Sequence, residues 1–548
     1  MTNKELADLM YPHVTKTIED YEKIFPKRNL KAGAMVSRYA PSPTGFVHMG
    51  NMLSCFIENI VPKRTGGKFY LRIEDTDQKR EVAGGIDNII SAMKTIGLSY
   101  DEGVISEEEE LGSYGPYIQS KRRDIYHAFA KYMIENDLAY PCFCEAEEIE
   151  EIRNIQKENK ERIGYYGEYA KCRNLTNDER AEKIKAGMPY TIRIKSRGDF
   201  NKRVKFHDEV KGDIEFPEND QDMILIKSDG MPLYHFAHLV DDHLMRTTHV
   251  LRGEDWLPSV PLHLELFDMF GFERPKYAHL GLIMIVDSNG TKRKISKRKD
   301  KDFAVKHYHE IGMPSYAMQE YLMTIANSNF EAWREENKDK PIEEFPFDFA
   351  KIGSSPLFDY SKLVNISKNY ISTLSAKEVY DSLYTWCDEF DKDFLELITK
   401  YKDYTIDVLN IEREQEKPRK DFSCYSEIKS YIWYMYDELF SDVTYEWQNI
   451  NDIKEINTIL KTYIDKYYDI NDNKDTWFSK IKLLCDELGY ASNIKDYKKN
   501  PNAYKGSVVD VSMVIRVAVT TKRATPDLYA ILKLLGTDRI KTRIDKIK

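Results

Sequence analysis

No apolar run in this 548-residue chain approaches the roughly 20 residues that a membrane span needs. The opening stretch, MTNKELADLMYPHVTKTIEDYEKIF, lacks the basic head, apolar core and small-residue cleavage site of a secretory signal. Seven cysteines, at 55, 142, 144, 172, 387, 424 and 485, are odd in number and scattered, which argues against a disulfide framework and fits a reducing compartment. Together these absences place the chain in the cytoplasm, with no membrane partner. An overall positive charge is also lacking: the net charge is -10, awkward for a nucleic-acid binder, whose phosphate contacts need clustered Lys and Arg. Distribution therefore matters more than the sum. Basic clusters at 292–301, 417–420 and 539–548 supply local positive surface, while runs such as 107–110 read as solvated acidic faces. No internal repeat and no long low-complexity linker is apparent. Two motifs fail on spacing. Arg64-Thr65-Gly66-Gly67-Lys68-Phe69 has neither the leading glycine nor the Ser or Thr of a P-loop. The segment from Asp469 has Lys474 and Lys480 where a calcium loop needs glycine and glutamate.

What is present is organised around residues 36–52, VSRYAPSPTGFVHMGNM. An apolar strand leads into a Pro-Ser-Pro-Thr-Gly turn, and a helical pattern follows from Leu53 to Ile60. At such a strand–loop–helix junction the free N–H groups and positive helix end suit phosphate. Arg38 and Ser42 share that loop. A second basic stretch, Gly290-Thr291-Lys292-Arg293-Lys294-Ile295-Ser296-Lys297-Arg298, is too rich in lysine for a core, and the two stretches read best as one site. The composition, 42% hydrophobic and 31% charged, predicts a soluble globular protein of about three to four domains.

HMGN resembles the first signature of the class I aminoacyl-tRNA synthetases, and KISKR the second. RYAPSPTGFVHMGN and LRIEDTD together resemble the bacterial-type glutamyl-tRNA synthetase branch, which shares its core with glutaminyl enzymes. The likeness continues through GPYIQSKR, YHFAHLVDDHLM, HVLRGEDW and VIRVAVTTKRATPDLYAILKLLG, in order along most of the chain. It implies an α/β fold: a Rossmann-type catalytic core split by an α+β insertion and followed by an all-α anticodon-binding region. The expected divisions are a helical extension over 1–33, the first half of the core over 34–122, and an acceptor-end insertion over 123–222. The second half of the core follows over 223–270, a KISKR loop with a stem-contact region over 271–371, and the helical region over 372–548. The βαβ alternation from Ala34 independently predicts a parallel sheet. The segment MILIKSDGMPLYHFAHLVDDH is expected to resume the sheet as a strand.

The implied activity is a glutamate–tRNA ligase using ATP with Mg²⁺, with L-glutamate and tRNA(Glu) as partners, tRNA(Gln) as a second candidate, and a monomer as the expected state. A carboxylate is already a nucleophile, so activation needs positioning and charge neutralisation on the phosphates, with no triad. The resemblance places His48, Gly50 and Asn51 in the ATP cradle and Lys294, Ser296 and Lys297 on the triphosphate, with Lys297 at the family's transition-state lysine. Asp255 and Ile283 match positions lining the nucleotide site. For glutamate, Arg38 and Arg252 match the side-chain carboxylate positions, Tyr234 donates a hydroxyl, Glu74 receives the ammonium, and Ala40 and Ser42 complete the pocket. Arginine suits a carboxylate because its planar fork gives paired, charge-assisted bonds. Arg72, Asp75 and Asp77 read instead as a strand-end salt-bridge cluster. His238 stands where bacterial glutamyl enzymes commonly carry asparagine.

His235, His238, Asp241, Asp242 and His243 are all metal-ligand types, but in a strand His235 and His238 point to opposite faces, which opposes shared coordination. A better metal candidate is Cys142 and Cys144 at C-x-C spacing with Cys172. Some glutamyl enzymes hold structural zinc with this arrangement, and with Arg173 and Asn174 where a histidine might follow, Tyr166 or Tyr169 is the candidate fourth ligand. For anticodon bases, read by stacking and by Arg or Lys bonds, the segment IEREQEKPRKDFSCYSEIKSYIWYMYDEL offers Arg413, Arg419 and Lys420, although a Tyr/Trp-rich helix is more often core. The alternatives are a glutaminyl enzyme, a shortened tRNA-modifying relative, or a non-catalytic tRNA-binding paralogue. A full helical C-terminal half opposes the second, and retention of His48, Glu74, Arg252 and Lys297 opposes the third.

Overall fold

The computed structural model describes residues 1–287, 289–295, 300, 303–353 and 355–547. The chain forms two compact units, one of residues 1–308 with 318–359 and one of 309–317 with 360–548.

In the first unit the core begins with β1 (Val36–Tyr39), α3 (Met49–Thr65) and β2 (Lys68–Leu71), preceded by α1 (Asn3–Met10) and α2 (Ile18–Ile24). It continues through α4 (Gly85–Thr95), β3 (Glu102–Val104) and β4 (Glu110–Leu111). β1, β2 and β3 pair in parallel and β4 closes the edge antiparallel, the expected βαβ arrangement. The central helix starts at Met49, four residues before the apolar pattern, because His48 is extended (φ -116°, ψ 165°) and caps it. Eleven of the 17 residues of α3 are buried, so it is an interior helix with no broad polar face. It ends at Gly66 in the left-handed conformation (φ 69°), and a Cβ on Gly67 would lie 1.7 Å from the Met35 carbonyl oxygen. The glycine pair that imitates a P-loop is thus a tight helix-to-strand turn.

The insertion supplies α5 (Arg123–Glu135), β5 (Ala139–Cys142), α6 (Ala146–Glu158), α7 (Asn177–Lys185), β6 (Thr191–Ile194), β7 (Arg203–Asp208) and β8 (Gly212–Pro217), followed by β9 (Ile224–Ile226). β5, β6 and β9 form one antiparallel sheet. The β7–β8 hairpin instead joins β10 (His249–Gly253) and β11 (Lys276–Leu280) in the order β10-β11-β7-β8. The expected strand over YHFAHLVDDH is a helix, α8 (Tyr234–Leu244), and α9 (Val260–Phe270) crosses between β10 and β11. Nearly every residue of α8 is buried, which removes the polar face that would have marked a helical period. β10 lies against β1, with the Val36 N–H donating to Thr248 Oγ1 (2.8 Å) and the Thr248 N–H to the Val36 carbonyl (3.0 Å). The carboxyl ends of β1, β2, β10 and β11 therefore open together, where ligands bind in parallel α/β sheets.

The 1–33 extension is helical, as its pattern predicts, and is bound to this unit. Arg28 forms a paired salt bridge to Glu102 (2.6 and 3.0 Å) and lies 3.8 Å over the Tyr114 ring. Glu22 holds Arg246 (2.5 Å) and His243.

The second unit is helical from Tyr360–Thr373 to Leu528–Asp545, and no sheet forms among its described residues. Its core is one continuous apolar cluster that includes Leu383, Ile428, Ile459, Ile481, Val514 and Ile531.

Candidate active site

Beyond the carboxyl ends of those strands lies a cleft of about 230 Å³ lined by Ser42, Glu74, Tyr234 and Trp256 together with the 75–81 loop and Gln119. Three of the expected glutamate-site residues thus meet in one cavity. Ser42 follows β1, Glu74 follows β2 and Trp256 follows β10, so three strand ends contribute walls, and Tyr234 at the start of α8 contributes another. Ala40 sits half-buried at the start of the β1 loop.

Four buried arginines, Arg38, Arg72, Arg122 and Arg252, lie outside the lining of this cleft, and their partners divide them. Arg38 donates to Asp242 through Nε (3.1 Å) and to the Leu251 carbonyl through Nη1 (3.1 Å), and it stands 3.7 Å from Glu58. Arg72 bonds Asp242 (2.8 Å) and Glu74 (3.0 Å) and lies 3.9 Å from Asp241. Arg122 bonds Asp241 (2.7 Å). Arg72 is thus an ion-pair residue, but its partners are Glu74, Asp241 and Asp242 and not Asp75 or Asp77, with which it was expected to cluster. Asp75 accepts the Ser120 N–H (2.7 Å), and Asp77 stands 3.9 Å from Arg80 at the surface. Arg252 differs. Its Nε donates to His279 Nε2 (3.0 Å), Nη1 to the Tyr234 hydroxyl (3.2 Å) and Nη2 to His263 Nδ1 (3.1 Å), and no carboxylate among the described residues reaches it. Of the two arginines assigned to the substrate carboxylate, Arg38 is committed to Asp242 beneath the cleft. Arg252 stands behind Tyr234 with its charge unmatched.

The electrostatics follow from burial and these pairings. Burial opposes the charge on Asp242, but Arg38 and Arg72 outweigh it and hold the carboxyl well below its usual range. Burial raises Glu74 above the ordinary carboxylate value, with Arg72 pulling the other way. Glu58, on the inner face of α3, is pushed up to about 8 by burial against the opposing pull of Arg38. His238 is pushed down to about 4 by burial, despite its 2.5 Å bond to Asp242. It stacks on Tyr234 (5.7 Å, 8°) and bonds Tyr277 (3.0 Å). His238 thus orients the Tyr234 ring from beneath the cleft.

The α8 helix also changes the argument about the acidic-histidine cluster. His235 and His238 lie three apart on a helix and share a side, but His235 bonds His263 (2.9 Å) and His238 is clamped by Asp242 and Tyr277. Among the described residues, the one grouping of metal-ligand atoms is Cys142, Cys144 and Cys172, all within 4.8 Å of one another.

The nucleotide residues gather at the start of α3. The His48 N–H points to Asn51 Oδ1 (3.4 Å), and a Cβ built on Gly50 would stand 2.9 Å from the His48 ring and 4.0 Å from Ile283 Cβ. Gly50 therefore makes room for the imidazole, and Ile283, beyond β11, closes on the same helix turn. Asp255 is exposed, its carboxylate turned back over Gly253. Lys294 is exposed at the end of a hairpin of β12 (Met284–Val286) and β13 (Lys292–Lys294). Ser296 and Lys297 lie outside the described residues. Their flanks converge on the first motif: Arg293 pairs with Asp300 (2.7 Å twice), Ala304 bridges to His48, and the Val305 N–H donates to the Val47 carbonyl (3.0 Å).

A catalytic-domain family described as tRNA synthetases class I (E and Q) matches residues 34–343, and an anticodon binding domain matches 419–548. The chain belongs to the class I tRNA synthetases. A glutamate–tRNA ligase of Clostridium perfringens is 47% identical over 548 residues, covering 99% of this chain and all of the relative. One from Acetivibrio thermocellus is 45% identical over the whole of both. A crystal structure of a glutamate tRNA ligase from Elizabethkingia meningosepticum, 23% identical, covers 94% of this chain and 100% of its own with a TM-score of 0.73, a likeness of fold.

Two further synthetase elements are visible. Cys144 and Cys172 sulfurs lie 3.6 Å apart, near the roughly 3.8 Å edge that Zn–S bonds of about 2.3 Å give a tetrahedron. The Tyr165 hydroxyl stands 3.4 and 3.2 Å from the Cys142 and Cys144 sulfurs. Hydrogen bonds from the other two thiols hold Cys142 far below its ordinary pKa. This donor set fits zinc. Of the nearby tyrosines, Tyr165 is the one whose hydroxyl lies beside the thiols, where it also accepts the Cys172 N–H (3.2 Å), whereas the Tyr169 hydroxyl turns outward to Glu161 (2.5 Å) and Tyr166 bonds the Arg162 carbonyl. In the helical unit, Arg413 is committed to the carbonyls of Leu409, Ile371 and Leu374, and Arg419 to Asp421 and Glu412. Lys420 alone of the three is exposed. Of that segment's four tyrosines, Tyr434 and Tyr436 are core, Tyr425 packs partly buried against it, and Tyr431 is exposed.

The residues missed by sequence reasoning are Trp256, Tyr165, His263 and His279. Only Trp256 carried a signal, as the last residue of HVLRGEDW.

Proposed function

We propose that this protein joins L-glutamate to ATP to form glutamyl-adenylate and pyrophosphate, then transfers the glutamyl group to the 3′ end of tRNA(Glu), in the cytoplasm. The observation that carries this reading is Arg252, a buried guanidinium without a carboxylate partner among the described residues, bonded to the hydroxyl of Tyr234, which lines the cleft with Glu74 and Ser42. A substrate side-chain carboxylate supplies the missing counter-ion, and Glu74, already paired with Arg72, accepts the ammonium. Glutamine would leave Arg252 unmatched, and a buried unpaired charge of this kind discriminates strongly against a near-isostere. The α-carboxylate attacks the α-phosphate without a general base. The first N–H groups of α3 with His48, and Lys294 with Lys297, neutralise the phosphates. Mg²⁺ bound with ATP would supply further neutralisation of charge on the leaving pyrophosphate.

Zinc on Cys142, Cys144, Cys172 and Tyr165 would brace the insertion as a structural site with no open position. In the helical unit Lys420 is the cation we assign to tRNA. Glutamate-dependent ATP/pyrophosphate exchange, measured with and without tRNA, tests the reading. No exchange under either condition leaves only a tRNA-binding protein.

A further inference from the structure

Arg252 is 7% exposed, and among the described residues its fork is held by neutral acceptors alone: His279 at Nε, Tyr234 at Nη1 and His263 at Nη2. The hydrogen-bond pattern assigns the tautomers. Asp208 Oδ2 stands 2.6 Å from His279 Nδ1 and accepts a hydrogen bond from the Nδ1–H, which leaves the Nε2 lone pair for Arg252. His263 Nε2 meets His235 Nδ1 at 2.9 Å, so the His263 proton points away from Arg252 and its Nδ1 accepts. Burial and then Arg252 itself hold His263 well below its ordinary pKa, so the arrangement is stable at neutral pH. Arg38, Arg72 and Arg122 each receive a carboxylate. The fold thus places acidic groups around three arginines and keeps them one residue removed from the fourth, since Asp208 reaches Arg252 only through His279.

We propose that His263 and His279 are specificity-determining positioning residues: they fix the Arg252 fork by accepting its N–H groups while leaving its positive charge without an internal counter-ion, so that the substrate's acidic side chain becomes that counter-ion. The inference rests on the glutamate reading above and extends it to two histidines that do not line the cleft. A carboxylate in either place would hold the fork equally well and cancel the charge. A residue that cannot accept would leave the charge and release the fork.

An isosteric pair separates these effects. In His263→Asn the side-chain oxygen replaces Nδ1 as a neutral acceptor, and in His263→Asp a charged oxygen takes the same place. With the full-length enzyme and purified tRNA in the exchange assay, His263→Asp is expected to raise the KM for glutamate about 30-fold or more and to erode the preference for glutamate over glutamine, with the KM for ATP unchanged within about twofold. His263→Asn is expected to stay within about fivefold of the parent for glutamate. A second pair covers misfolding of the first. His279→Gln keeps a neutral acceptor and is expected to stay within about threefold, while His279→Leu removes it and is expected to cost about tenfold in KM for glutamate. Equal KM values for the two members of each pair overturn the inference while the parent's exchange activity leaves the glutamate reading standing. A parent protein without glutamate-dependent exchange overturns both.

Discussion

Asp242 is the residue whose loss the structure makes most costly. Its side chain is fully buried and gathers Arg38 Nε (3.1 Å), Arg72 Nη1 (2.8 Å), the Thr247 hydroxyl (3.1 Å) and His238 Nδ1 (2.5 Å). Asp242→Asn keeps the shape but removes the charge, and its amide N–H₂ must face a donor it cannot satisfy. Two buried guanidinium groups are left with Glu58 at 3.7 Å, Glu74 at 3.0 Å and Asp241 at 3.9 Å. Breaking a buried pair by removing one partner costs about 3–5 kcal/mol, and at roughly 2 °C per kcal/mol for a unit this large the melting temperature should fall by about 6–10 °C. The pH dependence has a definite sign. A carboxyl held below its unfolded value contributes its stability in full above a pH of about 4 and loses it as pH falls through the folded pKa, so the variant's deficit should shrink with acidification. Thermal unfolding followed by near-ultraviolet circular dichroism at pH 7, and again between pH 5 and 3, checks both. A variant melting within about 1 °C of the parent at pH 7 would refute the claim that Asp242 anchors the arginines.

Glu58 carries the opposite sign. Its folded pKa of about 8 lies above the unfolded value, so its burial penalty is absent below about pH 4.5, grows as pH rises and is complete above about 8. Glu58→Gln should therefore melt higher than the parent, with the gap widening between pH 5 and 8, and a constant gap would contradict this. Gly50→Ala sets a methyl against the His48 ring and should lower kcat at least about tenfold while shifting the melting temperature by less than about 3 °C, read by steady-state exchange and calorimetry. The purified protein should contain about one zinc by elemental analysis, and Tyr165→Phe should release it to a chelator faster than Tyr169→Phe. Equal release from the two would return the fourth ligand to question.

The β1–turn–α3 junction was legible because proline and glycine punctuate it and because an apolar strand must stop where PSPTG begins. The cysteine triple was legible as spacing, whereas the tyrosine beside it was not: Tyr165 and Tyr169 stand four residues apart, and only the folded turn shows that Tyr169 faces outward to Glu161. The helix over YHFAHLVDDH escaped because an element buried on all sides shows no period, and its aromatic and branched residues favour a strand. Its consequence was to bring Asp242 under Arg38 and Arg72, contacts across 204 and 170 residues that no local pattern announces. Separations of 42 and 39 residues likewise hide why Arg413 caps carbonyls at 371 and 374 when it reads as a free cation. His263 and His279 stand singly in apolar segments, where a histidine is ordinarily a satisfied core residue.

The most direct test of the central claim is charging itself: the full-length protein with ATP and Mg²⁺, purified tRNA(Glu) and tRNA(Gln) in separate reactions, and radiolabelled glutamate or glutamine. The account predicts acid-precipitable label from glutamate on tRNA(Glu) and none from glutamine on either tRNA. Label from glutamine, or none from glutamate, would contradict it.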